Sequence, residues 1–151
     1  MQITHQADYA TRAVLYLAQQ KKEKHVATGK IAREQNIPPS FLAKIVSQLS
    51  IAGILNTSRG AHGGIWLARD PEDITLLEVV EAIDGPIRLN ICSDGKGECS
   101  LEETCLLHPI WREAQDQLIA KLQSTNFTQL IANDPSNQAV TQLANYEEPR
   151  T

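Results

Sequence analysis

Apolar residues recur every three or four positions from about Asp8 to Gln19, near the start of the chain. The recurring residues are Ala10, Ala13, Val14, Leu17 and Ala18. Because an α-helix has about 3.6 residues per turn, this spacing places them on one face. The chain is therefore predicted to begin with an amphipathic helix that buries one side.

Two further helices are predicted on either side of the sequence NIPPS, where proline disfavours helical geometry. Thr28 is expected to cap the first of them, and Ser40 the second. Gly53 should end the second helix as a left-handed cap. The buried positions of that helix are expected to be Leu42, Ile45, Val46 and Leu49. This order of elements predicts a helix-turn-helix, whose second helix enters the major groove of DNA.

The next segment carries the signals of a β-hairpin. Two short runs rich in apolar residues, Ile54–Arg59 and Ile65–Arg69, flank three glycines at positions 60, 63 and 64. Glycine-rich tips between such runs are typical of hairpins. A helix-turn-helix followed by a hairpin with an arginine near its tip predicts a winged helix. The expected fold class is mainly α with one small β-hairpin.

Two more helices complete the predicted architecture. Thr75 is expected to cap the helix LLEVVEAID, and Pro109 lies in the first turn of a long final helix. The apolar stripe of that final helix comprises Trp111, Ala114, Leu118 and Leu122, and it suits pairing with a second copy. We therefore predict a DNA-binding domain over 1–85, a ligand-binding loop over 86–108, a dimerisation helix region over 109–132 and a loosely ordered tail over 133–151.

Composition narrows the class of protein. The chain is 42% hydrophobic, enough for a core, yet no run approaches the ~18 consecutive apolar residues of a membrane span. The N-terminus lacks the features of a signal peptide, so we expect a cytoplasmic protein without a membrane partner. In that reducing compartment, three clustered cysteines more often bind metal or do redox chemistry than form a structural disulfide.

The distribution of charge favours a nucleic-acid partner although the net charge is −4. Residues 1–70 contain nine Lys or Arg and four Asp or Glu, whereas residues 71–151 contain five and fourteen. The first half is therefore at +5 and the second at −9. A basic half attracts phosphates, and an acidic half faces solvent or protein.

Several residues are positioned in this scheme to contact double-stranded DNA. The third helix would present side chains near its N-terminal end, and Arg59 at the hairpin tip would enter a narrow minor groove. Neighbouring lysines would add attraction that weakens with salt. For any single lysine the simpler interpretation is a solvated surface. The expected DNA contacts are Thr28, Ser40, Phe41, Lys44, Arg59, Gly60 and His62.

All three cysteines lie in one polar, glycine-bearing stretch, spaced Cys92-x6-Cys99-x5-Cys105-x2-His108. Structural zinc sites usually carry a tight Cys-x2-4-Cys pair, which neither gap provides. Longer loops can wrap a bulkier group, and thiolates are the standard ligands of iron–sulfur clusters. We therefore predict a cluster held by the three cysteines, with His108 as the nearest candidate for a fourth ligand.

Other interpretations of the same residues stay open. In the first, His108 only caps the final helix or forms a hydrogen bond at its start. In the second, the three cysteines form a thiol redox switch that contains no metal. Cys105 with His108 would act as the nucleophile of a thiol enzyme, although no triad partner or oxyanion-hole motif is visible, so an enzyme is not expected.

The ordered set of motifs resembles the Rrf2 family of bacterial winged-helix regulators. The resemblance covers roughly residues 1–132 and rests on DYATRAVLYLA, IAREQNIPPSFLAKIVSQLSIAGIL, SRGAHGGIWLA, ITLLEVVEAIDGP, the three cysteines and FTQLI. Family members of this kind are homodimers that bind palindromic or near-palindromic operators. The resemblance implies a transcription regulator, expected to be a repressor, that senses iron–sulfur supply, iron, nitric oxide or redox state.

The resemblance implies two cluster types. CLLHPIW is similar to the IscR-like pattern, in which a histidine three residues after the last cysteine completes a 2Fe–2S site; here that is His108. ADYATRA is similar to the NsrR-like opening, in which an aspartate from the partner subunit is a fourth ligand to a 4Fe–4S cluster; here that is Asp8. The first cysteine gap, x6, falls between the spacings of IscR-like and RirA-like members, so the cluster type stays open. The simplest role for Asp8 by itself is a helix N-cap.

Overall fold

The structure, a computed structural model, describes residues 2–94, 96–97 and 99–136. Its helices are α1 (His5–Ala18), α2 (Thr28–Glu34), α3 (Pro39–Ile51), α4 (Leu76–Asp84), α5 (His108–Gln123) and α6 (Phe127–Ala132). One antiparallel hairpin comprises β1 (Leu55–Ser58) and β2 (Gly64–Leu67), and short 3₁₀ turns occupy Pro71–Asp73 and Ile91–Asp94. This is the predicted mainly helical fold with one hairpin. Most of the predicted tail, from 137 onward, lies outside the described residues.

Helix α1 begins earlier than predicted, and Asp8 is not its cap. Thr4 is the N-cap, and its hydroxyl accepts a hydrogen bond from the backbone N–H of Ala7 at 3.1 Å. The same hydroxyl donates to a carboxylate oxygen of Asp84 at 2.6 Å, which ties the start of α1 to the end of α4. The interpretation of Asp8 as an N-cap is therefore wrong. Asp8 lies in the first turn of α1 with its side chain exposed.

The predicted caps of the helix-turn-helix are also shifted by one or two residues. Ala27 is the N-cap of α2, so Thr28 is its first helical residue. Pro38 is the N-cap of α3, and Ser40 falls at the second helical position. The physical reason is Pro39, because its fixed φ suits the first position of a helix and its missing N–H is no loss there. Both caps were therefore predicted at the wrong residue.

Helix α2 ends through Asn36 and not through the prolines that follow. Asn36 has a left-handed backbone with φ of 51°. The N–H of Ile37 donates to the carbonyl of Ala32 at 2.9 Å, which closes a Schellman motif. Ile37 is buried beneath this turn, so the stop also orients α3 against α2.

Helix α3 ends in the same way, at the predicted residue. Gly53 has φ of 73°, and the N–H of Ile54 donates to the carbonyl of Leu49 at 2.9 Å. The predicted apolar stripe of α3 is confirmed as its buried face, comprising Leu42, Ile45, Val46 and Leu49. Ile54 is buried as well, and the chain passes directly into β1.

The hairpin is attached to the core through Val26. Leu55 pairs with Leu67 and Ser58 with Gly64, and the Val26 and Ile65 backbones exchange hydrogen bonds of 3.0 and 2.9 Å. A side chain at Gly64 would lie 2.8 Å from the Val26 carbonyl oxygen, so only glycine allows this approach. The wing is therefore held at its base while its tip projects.

The core is assembled around α1, which packs against α3, α4 and α6. Helix α6 belongs to this core because Phe127 is fully buried, and its N–H donates to the Ile74 carbonyl at 3.3 Å. Helix α4 starts with the predicted Thr75 cap, which forms a capping box with Glu78. The chain after α5 thus returns to the winged helix, which the predicted boundary at residue 85 does not anticipate.

Helix α5 lies apart from that core. Ile110 and Trp111 in its first turns are exposed in the single chain, at 59% and 43%, whereas Leu118, Ile119 and Leu122 further along are half-buried. Leu106 and Leu107, just before the helix, are also exposed. Within the described ranges, none of the helices combines the length and apolarity that crossing a bilayer requires.

Candidate functional site: a nucleic-acid interface and a metal centre

The N-terminal part of α3 presents the three side chains that were predicted to meet DNA. Ser40, Phe41 and Lys44 are all exposed and lie within the first six residues of the helix. The first N–H groups of an α-helix lack intrahelical partners, and Pro39 has none to offer. The backbone N–H groups of Ser40 and Phe41 are therefore free of intrahelical partners at this end, where they can donate to a phosphate oxygen.

Phe41 is held in place although 42% of it is exposed. The ring of Tyr9 on α1 meets it edge-on, with centroids 5.9 Å apart and an interplanar angle of 82°. The guanidinium of Arg12 lies 4.9 Å from the Tyr9 centroid on the same surface. Edge-to-face pairs of this kind contribute roughly 0.5–1.5 kcal/mol beyond area burial. Phe41 is thus an apolar, oriented contact in a surface that is otherwise polar.

The wing tip carries the other predicted contacts. Arg59, Gly60 and His62 are exposed, and Arg59 makes no ion pair with any residue that the structure describes. The carbonyl oxygen of His62 lies 3.0 Å from Nδ1 of His25, whose ring stacks on Trp66 at 3.9 Å between centroids. The contacts of His25 therefore hold the wing tip in position, while the Arg59 side chain stays exposed and can contact a ligand.

A groove of about 750 Å³ joins these two elements. Thr28, at the start of α2, lines it together with Arg59 and Gly60 of the wing and Ser47 of α3. None of the residues lining the groove is acidic. The structure thus brings Thr28 and the wing together, and places Ser40, Phe41 and Lys44 on the neighbouring exposed surface of α3.

Part of the basic charge predicted for this half has a structural role. Lys22 pairs with Asp70 at 3.0 Å, and the bonded carboxylate raises the pKa of Lys22. Arg69 lies just after β2, where its guanidinium is 2.8 Å from Glu78 and donates to the Asp73 carbonyl at 2.9 Å. Arg69 therefore fastens the base of the wing to the start of α4.

Glu78 is the acidic partner in this arrangement, and its ionised form is favoured. Partial burial opposes ionisation, but the Thr75 backbone N–H, the Arg69 guanidinium and the Thr75 hydroxyl outweigh it. Together they hold the pKa of the Glu78 carboxyl below its ordinary value. The wing base is thus stabilised by a charge that is present at neutral pH.

The candidate metal ligands occupy the segment between α4 and α5. Cys92 lies in the Ile91–Asp94 turn, with Sγ 3.2 Å from the side-chain oxygen of Asn90. Cys92, Cys99 and Cys105 are all free thiols of intermediate exposure. Across 2–94, 96–97 and 99–136, the one group of three metal-binding side chains within 4.8 Å is the exposed Asp70, Glu72 and Asp73.

The cysteines are therefore not arranged around a single ion. Ligand atoms of one zinc ion lie within about 4.6 Å of each other, because Zn–S distances are about 2.3 Å. No three of Cys92, Cys99, Cys105 and His108 meet that condition. The donor set still fits an iron–sulfur cluster chemically, because thiolates are the preferred ligands and a cluster spans more than one metal atom.

His108 supports that fit more directly. It is the first residue of α5, its side chain is 12% exposed, and Leu107 is the N-cap, so His108 is not a helix cap. Its Nε2 lies 3.5 Å from the Glu102 carboxylate, while its Nδ1 is buried and has no hydrogen-bond partner among the described residues. A histidine that ligates a metal through one nitrogen and meets a carboxylate through the other has this arrangement.

Asp8 is placed differently. Its carboxylate lies 3.2 Å from the guanidinium of Arg12, one helical turn along α1. It does not join any group of potential ligands within the described chain. Within a single chain, the structure therefore brings Asp8 to Arg12 and not to the cysteines.

Three residues near the cysteines are not predicted as site residues from the sequence. Glu102 faces His108, and Ser93 and Gln115 form a buried pair described below. Gln115 had a signal, since it falls four residues after Trp111 and three before Leu118, which is a stripe position for a polar residue. Ser93 and Glu102 had none, because their loop has no periodicity.

Comparisons with known proteins agree with this architecture. Residues 3–133 match the family described as "Rrf2: Iron-dependent Transcriptional regulator". The HTH-type transcriptional regulator IscR of Escherichia coli O1:K1 is 30% identical over 151 residues, which covers all of this chain and 93% of that protein.

Two solved structures share the fold. CymR, the global cysteine regulator of B. subtilis, has a TM-score of 0.74 at 24% identity, covering 87% of this chain and 97% of that one. T. potens IscR has a TM-score of 0.72 at 22% identity, covering 91% of each chain. These likenesses confirm the winged-helix fold predicted from the sequence.

Proposed function

Because the chain belongs to the Rrf2 family of transcriptional regulators, we propose that it binds operator DNA as a homodimer whose affinity depends on an iron–sulfur site. Membership of a family of regulators favours DNA binding over the thiol enzyme that Cys105 and His108 would form. The observation that carries the proposal is the arrangement of α3 and the wing. The groove between them is lined by Thr28, Ser47 and Arg59 without a carboxylate, and the exposed Lys44 lies on the neighbouring surface of α3.

In this proposal, α3 lies in the major groove and the wing approaches the minor groove. The contacts are Ser40, Phe41 and Lys44 from α3, Thr28 from α2, and Arg59, Gly60 and His62 from the wing. Phe41 cannot donate a hydrogen bond to a base, so it suits an apolar base edge such as the thymine methyl group. Lys44 and the backbone N–H groups suit phosphates.

The homodimer is supported by the exposed apolar surface of α5. Leu107, Ile110 and Trp111 are each more than two-fifths exposed, and they lie beside one another at the start of the helix. A second copy would bury this surface and place two copies of α3 on one face, as a palindromic operator requires. The predicted dimerisation region over 109–132 would then act through α5, since α6 packs into the core of its own chain.

Cys92, Cys99, Cys105 and His108 would hold the cluster. When bound, such a cluster supplies sensitivity to iron supply and redox state, because both affect how readily it is lost or oxidised. The unpaired, buried Nδ1 of His108 supports histidine as the fourth ligand and hence the 2Fe–2S type that the IscR-like pattern implies. The alternative is a 4Fe–4S type with Asp8 from the partner subunit, which would have to give up its contact with Arg12.

A second candidate is a regulator switched by its thiols without metal. The observation that favours it is that the three thiols are partly exposed and not gathered into one site. Family membership does not decide the signal, since CymR is described as a cysteine regulator. In this alternative, oxidation of two cysteines would reshape the same segment.

The test is anaerobic purification of the full chain, followed by counts of iron and acid-labile sulfide per chain. Near-stoichiometric iron and sulfide in the wild type, lost in a variant with all three cysteines changed to alanine, is the expected result. His108→Ala should lose iron readily, whereas Asp8→Asn should retain it. Zinc alone, or no metal after reconstitution, would leave the thiol switch as the better description.

Operator affinity must be measured with and without the cluster for the same proteins. Cluster and DNA binding are linked, so each must change the affinity of the other by the same factor. If the triple cysteine variant, the cluster-loaded wild type and the cluster-free wild type all bind operator DNA with the same affinity, the site does not control the regulator.

A further inference from the structure

Helix α5 buries a single residue, and that residue is polar. All sixteen residues of the helix are described, and of these only Gln115 is buried, at 6% exposure. Ser93, at 5%, is the other buried polar residue in the described ranges, and the two are in contact. A buried amide costs free energy unless its hydrogen bonds are made, so this pairing has to be satisfied.

The Gln115 side chain is satisfied entirely by the turn that carries Cys92. Its Oε1 accepts the Leu89 N–H at 3.0 Å and lies 2.6 Å from the Ser93 hydroxyl. Its Nε2 donates to the Ser93 carbonyl at 2.9 Å. One side chain of α5 thus contacts both ends of the 89–93 segment.

The contact continues within the turn to the thiol itself. The Asn90 N–H donates to the Ser93 hydroxyl oxygen at 3.2 Å, and the Asn90 side-chain oxygen lies 3.2 Å from Sγ of Cys92. The Cys92 thiol is therefore linked to Gln115 through Asn90 and Ser93. These hydrogen bonds set the position of the Cys92 turn relative to α5.

Cys99 and Cys105 lack comparable support. The backbone hydrogen bonds at these residues join positions three apart, with Glu102 N–H donating to Cys99 O at 3.2 Å and His108 N–H to Cys105 O at 3.3 Å. None of the described residues between 96 and 107 is buried. The four candidate ligands therefore fall into two pairs, one attached to α5 and one carried by an exposed segment.

We propose that Gln115 is the positioning residue of the metal centre: it attaches Cys92 to α5, and the site is completed when Cys99 and Cys105 close on Cys92 and His108. Because His108 is the first residue of α5, two of the four ligands are then fixed on that helix before metal binds. Part of this inference rests on the proposed function. The attachment of Cys92 does not, since it consists of hydrogen bonds between side chains and backbone of the chain itself.

The arrangement also gives the site a route to the rest of the molecule. The same helix that holds Gln115 presents the exposed apolar residues Ile110 and Trp111. Closure of the 99–105 segment onto α5 would therefore occur beside the surface that we assign to the second copy. Coupling between the metal centre and the dimer surface therefore does not need to pass through the hydrophobic core.

The experiment compares Gln115→Met with Gln117→Met. Methionine keeps the length of the side chain and removes its hydrogen bonds. Gln117 is the matched control, since it is exposed on the same helix and donates only to Glu113 at 3.1 Å. Hydrogen exchange of the Leu89 and Asn90 amides is measured first, in metal-free protein.

We expect Gln115→Met to speed exchange of these amides about fivefold or more, as loss of one net hydrogen bond allows. After anaerobic reconstitution, this variant should lose iron to a chelator about 10-fold faster than wild type. Gln117→Met should match wild type in both measurements. Unchanged exchange at Leu89 and Asn90, or iron loss at the wild-type rate, would overturn the proposal.

Two further outcomes are separated in advance. If Gln115→Met does not fold, Ser93→Ala replaces it, because it removes the hydroxyl that contacts Gln115 Oε1 and accepts the Asn90 N–H, and it should speed exchange at Asn90. If no protein, wild type included, takes up iron, the proposed iron–sulfur function fails. The exchange measurement in metal-free protein then still decides whether Gln115 holds the Cys92 turn.

Discussion

The winged helix and the cysteine-bearing segment are built on different physical terms. In the winged helix, the side chains that we propose to contact DNA belong to elements held by buried residues. Phe41 belongs to α3, which has a buried apolar face, and Arg59 belongs to the wing, which the Val26–Ile65 bridge attaches to the core. Between 96 and 107, none of the described residues is buried. The shape of the winged helix is thus fixed by buried residues of the chain itself, whereas the described residues of 96–107 have no such support.

This difference should be largest in hydrogen exchange. Amides in the middle of α1 and α3 are expected to exchange only through global unfolding, which costs roughly 5–15 kcal/mol in a domain of this kind. Amides of 99–107 should exchange through small local openings in the metal-free protein. Peptide-resolved exchange by mass spectrometry checks this. Protection of 99–107 equal to that of α3 would abolish the contrast.

Two phenylalanines sharpen the contrast between core and contact surface. Phe127→Ala should destabilise the protein by about 3–5 kcal/mol, because it removes a fully buried ring that holds α6 to the core. Phe41→Ala should cost less, about 1–2 kcal/mol, since the ring is partly exposed and loses its contact with Tyr9, yet it should weaken operator binding. Urea unfolding and DNA titration separate the two effects. Similar stability losses would mean that Phe41 is a core residue.

Arg59 and Arg112 test which region reads DNA. Arg59→Ala should weaken operator binding by about 1–3 kcal/mol if its contact is good, and it should reduce the salt dependence. Arg112, exposed on α5, is the matched control. Arg112→Ala should leave binding unchanged when measured at the same salt concentrations. Equal losses in both variants would indicate general attraction to the duplex and no specific role for the wing.

Glu78 provides the smallest effect and tests how the wing base is held. The folded-state pKa lies below the ordinary value of 4.5, so the stabilisation is present above that pH and is lost as pH falls through the folded value. Because the side chain is 40% exposed, Glu78→Gln should cost only about 0.5 kcal/mol at pH 7. Thermal unfolding at pH 7 and pH 3 measures this.

The Glu78 experiment has an internal control in Arg69. In an Arg69→Met background, Glu78→Gln should cost less at pH 7, because the guanidinium that favours the carboxylate is gone. If the cost is the same with and without Arg69, the capping box with Thr75 and not the ion pair accounts for the stability. The wing base would then be held from α4 alone.

Local patterns of the sequence predicted the elements well but their starts less well. The stripe of α3, the Gly53 stop and the Thr75 cap depend on neighbours in the chain, so spacing and residue type were sufficient. Thr28, Ser40 and Asp8 were each taken for caps. Helices α2 and α3 start instead at Ala27 and Pro38, which make no side-chain cap hydrogen bond, so cap preference did not decide those starts.

The sequence by itself determined the winged helix and the gathering of all three thiols in one segment, and it predicted the side chains that we propose to contact DNA. Periodicity, turn residues and thiol chemistry are properties of short stretches, and they survive without knowledge of the whole. Only the tertiary structure decided that Phe127 returns to the core, that Arg69 is structural, and that Gln115 holds the turn of Cys92. These contacts join residues distant in the chain, and no local spacing encodes which buried polar group will meet which partner.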